Sequence, residues 1–350
     1  MKNKKYEVII IGAGPSGISC ALNLLKEGIK DILIIDKSKF PRYKCCAGYI
    51  TNKTKKAYEE LGLNIKKCHY SLIKDFNILY KYKKRQTIDN KFLYTNKAID
   101  RVELDYNFFK LAKKEKIKIL EETKVSKHNI NKNEIILSNN EKVTYNYLVF
   151  ADGTTGYGSK YQTIKKKNIA LQLIIEEETK EKIDIHFGIT KKGYGWVSSC
   201  NGYTNIGLTD VYNKDTNYNK IFKEFLDKLN IKADIKKLTG AFTPIGIGKP
   251  IINDNIYFVG DALGACDPLT LSGLRYGLKS GEVCAKSIKQ NNKKIYIKYA
   301  KSLKRKFKIM ELLQNIFYLK VILYTVFNIG CKFFSKLISF VFNNFFVNKK

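Results

Sequence analysis

The chain has 350 residues and 44% hydrophobic content, enough to bury a full core, which excludes a disordered tail or a disulfide miniprotein. Its 64 Lys+Arg against 32 Asp+Glu give a net charge of +32, which invites a nucleic-acid or membrane partner. Only five of the basic residues are arginine, the side chain that grips phosphate and guanine bidentately, so the excess reads mainly as the lysine-rich profile of an AT-rich coding sequence.

From the N-terminus, residues 6–11 form a short β-branched run that predicts a buried parallel strand. Gly12-Ala13-Gly14-Pro15-Ser16-Gly17 follows, then a helical pattern that Gly28 ends. A second apolar strand, 32–35, closes on Asp36 and Lys37, with Asp36 19 residues beyond Gly17. Gly12 suits the tight turn, Gly14 the approach of a pyrophosphate, and Gly17 close helix–strand packing. The helix N-terminus offers free N–H groups to phosphate, and Asp36 stands where a carboxylate accepts ribose hydroxyls. A signal peptide is not expected, because the apolar run is short and enters a glycine-rich turn.

Two further strands end on chemistry. Residues 147–150 run into Ala151-Asp152-Gly153, and 256–259 run into Gly260-Asp261-Ala262-Leu263-Gly264, with a helix predicted from about Gly273 to Gln290. With the first fingerprint these pieces resemble the flavoproteins that hold FAD in a Rossmann-like domain. The resemblance implies that Asp261 meets the flavin's ribityl hydroxyls and that the site is assembled from both chain ends.

Within that group the sequence is similar to the geranylgeranyl reductase family, itself related to aromatic hydroxylases. Gly260-Asp261-Ala262-Leu263-Gly264-Ala265-Cys266-Asp267-Pro268-Leu269-Thr270, then Ser272-Gly273-Leu274, matches that family's late motif, and no histidine follows the Gly-Asp pair. Phe40-Pro41-Arg42-Tyr43-Lys44-Cys45-Cys46-Ala47-Gly48 resembles its Pro-x-x-Lys-x-Cys-Gly-Gly loop, with Ala47 in place of a glycine. The family places that loop beside the flavin's reactive face, so Cys46 and Lys44 are the catalytic candidates. Cys46 either donates the proton that accompanies hydride transfer to an alkene or packs under the flavin. The run Asp100-Arg101-Val102-Glu103 resembles the segment whose arginine approaches the flavin or its phosphates. Tyr194 and Trp196, two apart on a predicted strand, match part of a substrate-domain signature and either wall a substrate chain or belong to a sheet core. Lys191 and Ser198-Ser199 depart from that signature.

The expected fold is α/β: a discontinuous Rossmann-like FAD domain (1–69, 98–160 and 250–295), an inserted, mainly antiparallel α+β substrate domain (70–97 and 161–249) and C-terminal apolar helices (296–350). An amphipathic helix is predicted over Tyr218–Leu229, and His186 reads as a hydrogen-bonded structural histidine. Eight cysteines and three histidines show no zinc spacing, so no metal is expected. The tail 312–347 carries eight phenylalanines, and its longest uncharged runs, 321–331 and 337–347, have 11 residues each. That is short of a span and suits either an interfacial anchor or helices folded on the enzyme. The resemblance implies FAD-dependent reduction of carbon–carbon double bonds in an isoprenoid or related lipophilic substrate. A hydroxylase-type monooxygenase, or an electron relay without an alkene substrate, is the alternative. Since no second dinucleotide fingerprint occurs, the expected donor is transiently docked NAD(P)H or a ferredoxin-like carrier. No nucleic-acid partner is expected, and the location is cytoplasmic, with peripheral membrane contact through 312–347 as the open question.

Overall fold

The computed structural model describes residues 4–88, 97–176, 182–200 and 202–328. Seven α-helices occur among them: α1 (Pro15–Lys26), α2 (Asn52–Glu60), α3 (Arg101–Lys114), α4 (Tyr218–Lys228), α5 (Leu274–Lys289), α6 (Lys293–Phe317) and α7 (Lys320–Asn328).

Apolar β-branched runs build the parallel part of an eight-stranded sheet. The strand Lys4–Ile11 lies between Ile32–Ile35 and Lys142–Phe150, and the last of these pairs with Ile256–Phe258. The register sets Ile11 beside Ile35 and Phe150, and Phe150 beside Phe258. Four strand ends therefore stand side by side, and the segments starting at Gly12, Asp36, Ala151 and Val259 leave the same edge of the sheet. Ligands of open α/β sheets bind at that carboxyl edge. Fully buried Val8, Ile9, Ile10, Leu33 and Val149 join α1, α3, α5 and α6 into one core.

The close crossing of α1 and α5 is made possible by Gly281, where a Cβ would stand 2.8 Å from the Ser16 carbonyl oxygen. Ser19 Oγ donates to the Leu278 carbonyl across the same crossing, at 2.8 Å.

A seven-stranded sheet covers the carboxyl edge. Its strands are antiparallel neighbours except Lys182–Phe187 and Asp75–Tyr80, which run parallel. One face packs Leu173, Val197, Ile206 and Leu208 on Phe222, Phe225 and Leu226 of α4. The other face carries the cross-strand pairs Ile183–Ser198, Ile185–Trp196 and Phe187–Tyr194 toward the interior cavity.

His186 lies between the cavity-facing residues and packs edge-on against Phe225 on the opposite face, with ring centroids 5.1 Å apart. Contrary to the hydrogen-bonded histidine that the sequence suggested, neither ring nitrogen has a hydrogen-bond partner. Strand alternation delivers the imidazole to an aromatic layer of Phe225 and Tyr82. Burial lowers its pKa to about 4, with Asp184 opposing the shift and Lys182 adding to it. A folded-state pKa below the unfolded value of about 6.5 gives stability that is present above the unfolded value and lost as pH falls toward 4. His186→Leu is therefore expected to flatten the decline of the melting temperature between neutral pH and pH 5, measured against wild type. A mutant curve that stays parallel to wild type removes this assignment.

The C-terminal helices expected over 296–350 begin as one long helix, and α7 falls on the apolar run 321–331. α6 runs for 25 residues along the nucleotide-binding side, and α7 turns away from it at 77°. No single helix among the described residues is long and apolar enough to cross a membrane. The predicted segment 337–347 lies outside the described residues.

Candidate active site

One cavity of about 1870 Å³ runs from the carboxyl edge of the parallel sheet, under the seven-stranded sheet, to the α6–α7 turn. That exceeds the roughly 300–1,000 Å³ of a site for one drug-sized ligand.

The glycine-rich loop forms its first wall. At Gly12 (φ +108°) a Cβ would stand 2.5 Å from the Ala151 carbonyl oxygen, and at Gly17 one would stand 2.0 Å from that of Gly12. Gly14 is different: only the Arg42 guanidinium, at 3.3 Å, lies near where its Cβ would be. Gly12 and Gly17 serve chain packing, and Gly14 leaves open cavity beside the backbone. Asp36 ties the loop down by accepting N–H bonds from Ala13 (2.7 Å) and Ser38 (2.8 Å). A carboxylate has about four acceptor positions, so two remain for hydroxyls in the cavity that Asp36 lines.

Helix capping points to the same place. α2, α3, α4 and α6 each have a side-chain cap, from Thr51, Asp100, Asn217 and Asn292. α1 and α5 have none, and their N-cap glycines, Gly14 and Gly273, both line the cavity. Two helix ends with unfilled N–H groups and positive dipole ends thus meet in one chamber, as an anionic dinucleotide requires.

Asp261 also lines the cavity, with Lys44 Nζ 3.8 Å from its carboxylate. Gly260 (φ +60°) sits against Ser16 Oγ, which a Cβ would meet at 2.5 Å, and its N–H is held by Ser280 Oγ at 2.8 Å. Asp152 accepts from the Gly158 N–H at 2.8 Å, while its Oδ1 is buried without a partner; burial lifts its pKa to about 6, against the pull of that N–H bond. Lys37, Pro15, Ser16, Gly153 and Leu274 also line the cavity, whereas Gly17, Gly48 and Pro268 stand behind the wall.

Arg101 reaches the cavity wall, but its guanidinium is held by Asp105 through Nε (3.2 Å) and Nη2 (2.9 Å), both side chains being buried. Its role beside a flavin is therefore secondary to neutralising Asp105. Arg101→Leu, which leaves that buried carboxylate only the longer contact to Arg42 at 4.0 Å, is expected to cost about 3 kcal/mol of unfolding free energy in a denaturant titration. A loss of flavin without loss of stability would contradict this placement.

The loop bearing Cys46 is fastened to the overlying sheet by two amides that sequence reasoning missed. Gln172 Oε1 accepts the Cys46 N–H at 2.6 Å, and Asn205 Nδ2 donates to the Cys46 carbonyl at 3.0 Å. Asn205 Oδ1 also accepts from Trp196 Nε1 at 2.9 Å, so one amide positions both the thiol loop and the indole. The available signal was a buried amide inside each of two apolar strands. Cys46, Ala47 and Cys45 line the cavity. Cys46 Sγ accepts weakly from the Gly48 N–H (3.5 Å), which leaves its S–H to donate. Burial, with Cys46 adding, pushes the Cys45 pKa up to about 12, and its thiol lies 3.9 Å from the Ala170 carbonyl. Tyr194 donates to the Thr270 carbonyl (3.2 Å), joining the substrate-side wall to the start of α5. Beyond Trp196 the walls are Ile185 and Phe187, then Leu313, Ile316 and Tyr318 from α6 and its end.

Open backbone at Gly14, two uncapped helix ends and an acid at three of the four neighbouring strand ends fit FAD, and they define a flavin-dependent oxidoreductase. The sequence signature of the pyridine nucleotide-disulphide oxidoreductase family matches residues 6–183, and the chain belongs to that family. It is similar to an uncharacterized protein of Methanosarcina barkeri, 30% identical over 301 residues (83% of this chain and 76% of the relative). It is also similar to a digeranylgeranylglycerophospholipid reductase of Methanococcus vannielii, 27% identical over 83% of this chain and 79% of the relative. Among solved structures, a geranylgeranyl bacteriochlorophyll reductase-like protein of Thermoplasma acidophilum shares the fold. Its TM-score is 0.74 at 21% identity, over 90% of this chain and 88% of that one.

Proposed function

We propose that the enzyme reduces carbon–carbon double bonds of an isoprenoid or related lipophilic substrate. The observation that carries this reading is the continuity of the cavity: the polar chamber at the strand ends passes without a partition into one walled by Ile185, Phe187, Trp196 and Leu313. An apolar chain threaded along that wall would bring one of its double bonds past the Cys46 loop. The relatives named as lipid reductases support the same chemistry. When bound, the flavin supplies the hydride. Cys46 donates the accompanying proton from its S–H, and Gln172 and Asn205 fix the loop that carries it. Trp196 and Tyr194 exclude water and orient the chain. Electrons arrive from NAD(P)H or from an acidic ferredoxin-like carrier drawn to the lysine-rich surface.

The test uses the holoenzyme, reduced anaerobically with dithionite and mixed with a lipid bearing geranylgeranyl chains. The expected result is reoxidation of the flavin with gain of two hydrogens per reduced double bond by mass spectrometry. Flavin that stays reduced against such lipids, yet consumes oxygen in the presence of an aromatic acid, would replace the reductase with a hydroxylase. The same assay, begun from NADH, NADPH or reduced ferredoxin, identifies the donor.

A further inference from the structure

The inner and outer faces of α6 have opposite characters. Leu303, Phe307, Met310 and Gln314, at helical steps of four and three, are buried against the enzyme. The outward stripe Lys301, Arg305, Lys308, Leu312 and Ile316 is exposed and changes from basic to apolar along its length. Past the helix end the apolar character continues through Leu319 (56% exposed) and Val321 (74% exposed). Residues 298–321 hold seven basic side chains and one acid, Glu311. Glu311 is taken by Lys166 at 2.8 Å, so no acid offsets the stripe from within. Among the described residues, Lys301, Lys304, Arg305 and Lys308 have no ion-pair partner. Ile316 marks the junction of outside and inside, because it lines the active-site cavity and is 44% exposed.

We infer that the outer face of α6 and the α6–α7 turn form a contact surface for an anionic lipid bilayer, with the cavity opening at Ile316 into the contact. The basic half of the stripe matches headgroup charge, and Leu312, Leu319 and Val321 match the acyl boundary just beneath it. No single described helix is long and apolar enough to span, and the 77° bend between α6 and α7 puts the exposed apolar Leu319 and Val321 at the turn. The role of the opening in delivering substrate rests on the lipophilic substrate proposed above. The contact itself does not.

Flotation of the full-length, oxidised holoenzyme tests the surface without any alkene. The vesicles are phosphatidylcholine alone, or an equal mixture with phosphatidylglycerol. The protein is expected to float with the mixed vesicles and to stay behind with the neutral ones. Lys304→Ala with Lys308→Ala should weaken partition about 30-fold, from about 1 kcal/mol per basic residue at an anionic surface. Leu312→Asp with Val321→Asp, residues that do not line the cavity, should abolish flotation while flavin stays bound. Equal partition into both vesicle types overturns the charge match. Wild-type flotation of the Leu312→Asp, Val321→Asp protein assigns the contact to residues beyond 328 and overturns the stripe. A wild-type dimer in sedimentation velocity that the same variant dissociates makes a second copy the occupant, and overturns it too. Because no turnover is read, a failed reductase assay leaves this outcome intact.

Discussion

Gly14→Leu is expected to fold like the wild type and to purify without flavin. Gly14 has φ −73° and ψ 177°, an extended backbone open to any residue, and only the flexible tip of Arg42 approaches its Cβ position. A leucine there enters the cavity instead of the core. It would occupy the volume that a pyrophosphate needs against the α1 N-terminus. Two lost charge-assisted backbone hydrogen bonds, at roughly 1.5–3 kcal/mol each, put the loss in FAD affinity at about 100-fold or more. The measurements are flavin absorbance after purification, titration of apoprotein with FAD, and far-ultraviolet circular dichroism as the check on folding. Gly17→Leu should behave differently, because its Cβ would stand 2.0 Å from the Gly12 carbonyl and damage the helix–strand contact itself. Retention of FAD by the Gly14→Leu protein would move the dinucleotide away from this loop.

Cys46→Ala is expected to keep FAD and lose turnover by on the order of 100-fold or more, the usual worth of a positioned general acid. Its backbone contacts with Gln172 and Asn205 survive the substitution, so the loop stays in place. The parallel variant Cys45→Ala should change turnover little, since that thiol faces the Ala170 carbonyl and burial holds it protonated. Single-turnover reoxidation of the reduced flavin by a lipid alkene separates the two. An undiminished rate in the Cys46→Ala enzyme would remove the thiol from proton transfer and leave it as packing beside the flavin.

The cofactor half of this site was legible because each element announces itself locally. A β-branched run, a glycine turn, a helix and an acid on schedule specify Lys4–Asp36, and the same grammar repeats at Ile256–Asp261. What local sequence does not carry is which partner a buried polar group finds. Asp36 proved to bind the N–H groups of Ala13 in the loop and Ser38 as well as face the cavity. Arg101 was legible as a cavity residue, but its pairing with Asp105 one helical turn away fixes where its guanidinium points. The bridge from Cys46 to Gln172 joins positions 126 apart, which no motif spans. In the tail α7 falls on the apolar run 321–331, but composition alone does not show the long helix before it. Periodicity would have shown the buried series Leu303, Phe307, Met310 and Gln314, hence one long helix from Lys293.

The four neighbouring strand ends also fix an order of events during synthesis. The first two are complete once Ile35 has emerged, but the fourth waits for Phe258, and the second uncapped helix for the residues after Gly273. A nascent chain shorter than that has half a nucleotide pocket and a sheet edge awaiting its neighbour. Flavin can therefore be held from both sides only once the chain has passed Gly273, and by binding folded protein alone it stabilises the join between the strands Lys4–Ile11 and Ile256–Phe258. Bound flavin thus acts as a certificate that synthesis has passed Ile256–Phe258.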